Sequence, residues 1–225
     1  MAPQPDAHTA DTRPPLTRER VLRAAMELAD RDGIEALTMR RLGQELGVEA
    51  MTLYYHVGRK DALLGAIVDL AYAEIEPPDP ALAWRTGLRR SAISAHDVLL
   101  RHPWATRVTG GGPDVIGPGR VRYMEGLLAR LRSAGFSAEM THHAYHALDC
   151  HIVGYTLWEA GYDILADELP DLARSALRQL SAGGYPALTE HIEWHLAPST
   201  GGGTSEFEFG LDLILDGLER ILEGR

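Results

Sequence analysis

The stretch "LTMRRLGQELGVEAMTLYYHVGRKDALL", residues 37 to 64, decides the fold. Thr38 is placed to cap a helix carrying Met39, Leu42 and Leu46 on one face, and Gly47 supplies the left-handed backbone that ends it. A second short helix follows from about Ala50 to His56. Val57-Gly58 interrupts the chain, and a further helix begins near Arg59 with Leu63, Leu64, Ile67, Leu70, Ala71 and Ile75 inward. Helix, glycine turn and helix at this spacing is the helix-turn-helix pattern, whose second helix enters the DNA major groove. In "AMTLYYH" (50 to 56) Leu53 is the one inward anchor, which leaves Thr52, Tyr54, Tyr55 and His56 for a partner. Threonine, tyrosine and histidine can donate to phosphate oxygens, and methyl-bearing side chains such as Ala50 and Met51 can touch the thymine methyl. The competing reading is a small helical subdomain whose tyrosines cap its own core.

Upstream, Thr17 can cap a helix with Val21, Leu22, Ala25, Leu28 and Ala29 at helical spacing, stopped by Gly33. Downstream, Pro77-Pro78 ends the connecting helix, and Pro-Pro-Asp-Pro (77 to 80) is the domain boundary. Helices are expected near 81 to 101, 103 to 108, 120 to 134, 137 to 160, 163 to 181, 185 to 196 and 206 to 222. No segment alternates as a strand does. The glycine-rich stretches at 109 to 119 and 198 to 205 read as loops. The expectation is an all-α chain: a tail over 1 to 15, a three-helix DNA-binding domain with its connecting helix over 16 to 76, and a larger helical bundle over 81 to 225.

Hydrophobic residues at 45% and charged residues at 24% match ordinary globular usage, which argues against wholesale disorder. No apolar run is long enough to span a bilayer, the start has no signal-peptide core, and the single Cys150 fits a reducing compartment. A cytoplasmic protein with no membrane partner is expected. The net charge of −10 argues against bulk electrostatic coating of nucleic acid. The charge is unevenly placed: between Thr38 and Lys60, Arg40, Arg41, Arg59 and Lys60 outnumber Glu45 and Glu49, whereas residues 77 to 225 hold 13 basic and 19 acidic side chains.

"LTRERVLRAAMELADRDGIEALTMRRLGQELGVEAMTLYYHVGRKDALL" (16 to 64) resembles the DNA-binding domain of the tetracycline-repressor (TetR) family. "HPWA", "SAGFS" and "FEFGLDLILDGLE" resemble the regulatory domain of its tetracycline-repressor subgroup. The resemblance implies an all-helical homodimer that represses transcription at a palindromic operator in double-stranded DNA until a small molecule binds. It puts Thr38, Met39 and Arg40 against DNA, Ala50, Met51 and Thr52 at the base-facing tip, Tyr54, Tyr55 and His56 on the backbone-facing flank, and Lys60 at a phosphate. It also assigns dimerisation to helices 137 to 160 and 206 to 222. Along the second of these, Phe207, Leu211, Ile214, Leu215, Leu218 and Leu222 form more apolar surface than a lone terminal helix would expose.

By the same resemblance an effector pocket has Tyr123, Leu127, His142, Tyr145, Asp149 and Trp158 at or near its walls, with the end of the connecting helix and "RHPWATRV" forming other sides. Aromatic and apolar walls suit a small aromatic or apolar effector, uncharged or weakly basic, with Asp149 and His142 fixing its polar edge. Tetracycline is not expected, because "ATRVTGGG" lacks the magnesium-chelate histidine of the tetracycline repressor, and Ile75 and Glu76 replace polar drug contacts. The alternative is a metal-dependent enzyme or metal sensor, since His142, His146 and Asp149 fall at i, i+4 and i+7 on one helical face. The glycine loop lacks the Gly-Lys-Ser/Thr of a phosphate cradle, no nucleophilic triad stands out, and no cofactor is called for.

Overall fold

The structure, a computed structural model, describes residues 15–108, 117–164, 169–196 and 205–224. Among the described residues the regular elements are all helical. The tail expected over 1 to 15 and the two glycine-rich loops lie almost wholly outside the described residues. Two compact units part between Ile67 and Val68, inside the fourth helix.

In the first unit, α1 (Arg18–Asp32) begins at Thr17, whose Oγ1 accepts the Arg20 amide at 3.2 Å, and ends at Gly33. A short 3-10 turn, Ile34–Ala36, follows; it is too brief to leave a periodic signal in sequence. α2 (Met39–Leu46) is capped by Thr38 Oγ1, which accepts the Arg41 amide at 3.1 Å. Its end is a Schellman motif: Val48 N–H donates to Gly43 O and Gly47 N–H to Gln44 O, with Gly47 at φ 69°. α3 (Ala50–Val57) and α4 (Lys60–Ala73) follow. Gly43 is required as well, since a Cβ there would lie 2.7 Å from Val48 O. Val21, Ala25, Leu28, Leu37, Leu42, Leu53, Leu63 and Ile67 are fully buried and form the core. Each such leucine truncated to alanine would cost about 2–5 kcal/mol. Arg31–Glu45 and Arg41–Asp32 pairs tie α1 to α2 from the surface and contribute little beside that core.

The connecting helix stops at Ala73, short of the expected Glu76. The proline pair removes amide donors and biases Glu76 toward extended backbone. Glu76 is held instead by the next helix: its amide donates to Ser94 Oγ at 3.0 Å, and Ser91 Oγ donates to its carbonyl at 2.7 Å.

The second unit continues with α5 (Trp84–Arg101), α6 (Pro103–Val108), α7 (Pro118–Ser133), α8 (Ala138–Ile164), α9 (Leu169–Gly183), α10 (Pro186–Leu196) and α11 (Glu206–Glu223). α5 packs on α7, α8 and α11, burying Leu88, Ala92, Ala95 and Leu99 against Leu127, Leu131, Leu148, Ile152, Leu211 and Leu215. Phe207 stacks with both His96 (3.9 Å between centroids) and His151 (5.0 Å), and His151 Nε2 lies 2.9 Å from Phe207 O.

α11 corrects the sequence expectation. Phe207, Leu211, Leu215 and Leu218 face the chain's own core, where they are buried. The surface apolar row is offset by two residues: Phe209 is 63% exposed, Leu213 59% and Ile221 42%. The orientation is fixed by ion pairs to α5, in which Arg85 meets Asp216 at 2.6 Å and Glu219 at 3.2 Å, while Arg89 meets Asp212 at 2.9 Å and also Glu208.

Candidate nucleic-acid interface and effector site

α3 is held by two buried side chains, Leu53 and Val57, one helical turn apart. Its remaining side chains stand outward: Tyr55 is 87% and Met51 68% exposed, Tyr54 is exposed, and Ala50, Thr52 and His56 are partly so. Apolar and aromatic surface on this scale, with no described residue of its own unit packed over it, marks a binding face. Arg40, Arg59 and Lys60 are exposed, and among the described residues none forms an ion pair. Arg41, by contrast, is engaged with Asp32. Thr38 Oγ1 is used as the cap acceptor, which leaves its hydroxyl hydrogen available to a phosphate. Met39 departs from the expectation: its side chain is 8% exposed, because the first turn of α2 turns this position into the core beside Leu42.

The second unit gathers three tyrosines and an aspartate. Tyr72, Tyr123 and Tyr145 are buried, and the Tyr72 and Tyr123 rings lie 6.0 Å apart at 54°. Tyr123 Oη is buried without a hydrogen-bond partner. Burial pushes the Tyr123 hydroxyl well above its ordinary pKa, reinforced by Asp149, Tyr72 and Tyr145. Tyr145 is pushed up to about 12, by burial first and by Asp149 second. The Asp149 carboxyl is raised by burial, against the opposing pull of Arg120 and His146. Arg120 stands in the first turn of α7, its Cζ 5.5 Å from the centre of the Tyr72 ring.

Asp69 on α4 fixes that turn. Its Oδ1 accepts the Gly119 amide at 2.7 Å and the Arg120 amide at 3.2 Å, a helix cap supplied from another helix. A Cβ at Gly119 would come within 2.4 Å of Asp69 O, so glycine is what lets α4 approach.

Of the expected effector residues, Tyr123, Tyr145 and Asp149 are brought together, and Leu127 is buried one turn from Tyr123. His142 and Trp158 are not in this group: both are exposed, His142 against His146 at 4.5 Å and Trp158, 43% exposed, against Tyr155 at 5.3 Å. Among the described residues no three His, Cys, Asp or Glu side chains are placed to hold a metal ion. His142 and His146 are a surface pair, whereas Asp149 belongs to the tyrosine cluster. Sequence reasoning missed Tyr72 and Arg120. A signal for Arg120 exists, since a cation in the first turn of a helix opposes the helix dipole and calls for another reason to be there.

The pattern describing bacterial regulatory proteins of the tetR family matches residues 21–67, and the tetracyclin repressor-like C-terminal domain matches residues 76–222. The HTH-type transcriptional repressor DrrR1 of Streptomyces coeruleorubidus is 31% identical over 224 residues, covering 95% of this chain and 81% of that protein. The class C tetracycline repressor protein of Escherichia coli is 32% identical over 214 residues, 92% of each. Among solved structures, the Streptomyces coelicolor TetR family protein ActR in complex with (S)-DNPA superposes with a TM-score of 0.72 at 29% identity, covering 94% of this chain and 99% of that one. BioQ with its double-stranded DNA operator superposes with a TM-score of 0.65 at 26% identity, covering 92% and 99%.

Proposed function

The chain belongs to the tetR family of bacterial transcriptional regulators, and from that premise we propose that it is a repressor that binds a palindromic operator as a homodimer and is released by a small ring-containing effector. The observation that carries this reading is the outward face of α3, with Tyr55 87% and Met51 68% exposed beside cations that have no ion partner among the described residues. In this reading Ala50, Met51, Thr52 and Arg40 meet base edges, while Thr38, Tyr54, Tyr55, His56 and Lys60 meet the backbone. The working boundaries are 16–76 for DNA binding and 81–225 for effector binding and dimerisation. DrrR1 and the class C protein are named repressors, BioQ is seen with an operator, and ActR is seen with a ligand and with actinorhodin.

Two copies would join through α8 and α11, using the outer row of Phe209, Leu213 and Ile221 together with Leu157 and Trp158 on α8. A two-fold dimer sets its two α3 helices about one turn of DNA apart, roughly 34–36 Å, which demands a palindromic site. None of the described helices is long and apolar enough to cross a membrane.

Release requires the effector to prefer the state that does not bind DNA. Tyr72 and Asp69 on α4 touch the cluster and its supporting helix, so a ligand among Tyr123, Tyr145 and Asp149 acts directly on the helix that begins at Lys60. The test is a genome-wide pull-down of DNA with the purified protein, followed by titration of a recovered fragment. A two-fold symmetric fragment bound by a dimer is the expected result; failure to enrich any fragment would remove the reading.

A further inference from the structure

We infer that the cluster of Tyr72, Tyr123, Tyr145, Asp149 and Arg120 selects an effector whose ring carries an acceptor oxygen, a carbonyl or a carboxylate, and discriminates against an ammonium. The inference rests on reading this cluster as the effector site. Its first support is Tyr123 Oη, a buried hydroxyl donor with no acceptor. A buried donor left unpaired forfeits the hydrogen bond it had to water, and a ligand oxygen restores it. Tyr145 and Tyr72 stay protonated for the same reason of burial, so the site holds phenolic O–H donors and no phenolate.

Arg120 decides the charge preference. An aspartate among tyrosine rings would by itself suit an ammonium, because ring faces and a carboxylate both attract cations. Here the face of Tyr72 already has a guanidinium 5.5 Å from its centre, and that cation also acts on Asp149 and Tyr145. Arginine keeps its proton throughout the physiological range. Among the described residues Arg120 forms no ion pair, and its backbone is pinned by Asp69, so the charge stays beside the cluster. With Asp149 opposing Arg120 the site has no net negative charge to offer, and an added ammonium would be repelled by Arg120 while leaving the Tyr123 hydroxyl unpaired. A carbonyl or carboxylate oxygen pairs with Tyr123 and faces Arg120. A hydroxyl next to that oxygen would donate to Asp149.

The test uses three probes with one ring: 2-naphthoate, 2-acetonaphthone and 2-naphthylmethylamine, titrated calorimetrically into the full chain near neutral pH. Both oxygen probes should bind about tenfold or more tighter than the amine. Tyr123→Phe should weaken both by about fivefold, the worth of one neutral hydrogen bond, and Arg120→Met should weaken 2-naphthoate more than the ketone. The ranking of probes on the parent protein needs no variant to fold. Binding of the amine as tight as the oxygen probes, binding of none of the three, or unchanged affinity in Tyr123→Phe would overturn the inference. Operator binding is measured separately: a protein that ranks the probes as stated but retains no DNA keeps the ligand class and loses the regulator reading, whereas DNA binding with the ranking reversed does the opposite.

Discussion

Asp69 on α4 caps the start of α7 through the amide of Gly119, 2.7 Å from its Oδ1, so one carboxylate both begins a helix it does not belong to and holds Arg120 beside the tyrosines. Asp69→Ala should lower stability by about 1 kcal/mol, the usual cost of a lost cap, and should weaken operator affinity. Asp69→Asn keeps an acceptor oxygen and should recover most of both. Urea denaturation and fluorescence anisotropy on an operator fragment supply the two readings, and equal operator affinity for the two variants would take Asp69 out of the path between sites.

His56→Ala and Lys60→Ala should weaken binding to all sequences alike, and Lys60→Ala should lower the salt slope by about one. Met51→Ala and Arg40→Ala should change which operator bases are preferred. Anisotropy titrations against the operator and its single-base variants separate the two sets; the same loss of preference in both would sink the division.

Gly43→Ala places a methyl 2.7 Å from Val48 O, against backbone that cannot rotate away. The cost should be about 1–3 kcal/mol, with operator affinity falling as α3 is pushed off its seat. A thermal melt equal to that of the parent protein would show that the turn relaxes.

Burial raises the Asp149 carboxyl above its ordinary 3.8. A group whose folded pKa is raised favours folding below the unfolded value and loses that contribution as pH rises through the folded one. At neutral pH the buried charge therefore costs stability, and Asp149→Asn should raise the urea midpoint at about pH 7.5, with the gain shrinking toward about pH 4. A lowered midpoint near neutrality would mean that the carboxylate has a stabilising partner.

Phe209→Glu with Leu213→Glu changes two exposed positions of α11 and should yield a folded monomer by sedimentation velocity. Leu211→Ala, one step round the same helix and fully buried, should instead cost about 2–5 kcal/mol of fold stability. A double variant that still sediments as a dimer rules out the outer row as the interface.

What could be read in the sequence was local. Thr17, Thr38, Gly33 and Gly47 announce helix ends because a cap acts within a few residues of itself, and the outward content of α3 follows from having one periodic anchor, to which the structure adds Val57. What escaped was set at a distance. The end of α4 depends on Ser91 and Ser94 taking the backbone groups of Glu76. α11 carries two apolar rows, and Arg85 and Arg89 on another helix decide which one turns inward. Tyr72 and Arg120 join the cluster from separate helices, a neighbourhood that no spacing along the chain encodes.

The anchoring of α3 by Leu53 and Val57 alone has an evolutionary consequence. Substitutions at Ala50, Met51, Thr52, Tyr54, Tyr55 or His56 remove almost nothing from the hydrophobic core, so the helix can explore new side chains with its scaffold intact. After gene duplication, a copy of this regulator can change the outward side chains of α3 in a few steps, none passing through an unfolded intermediate, while the tyrosine cluster of the second unit changes on an independent schedule.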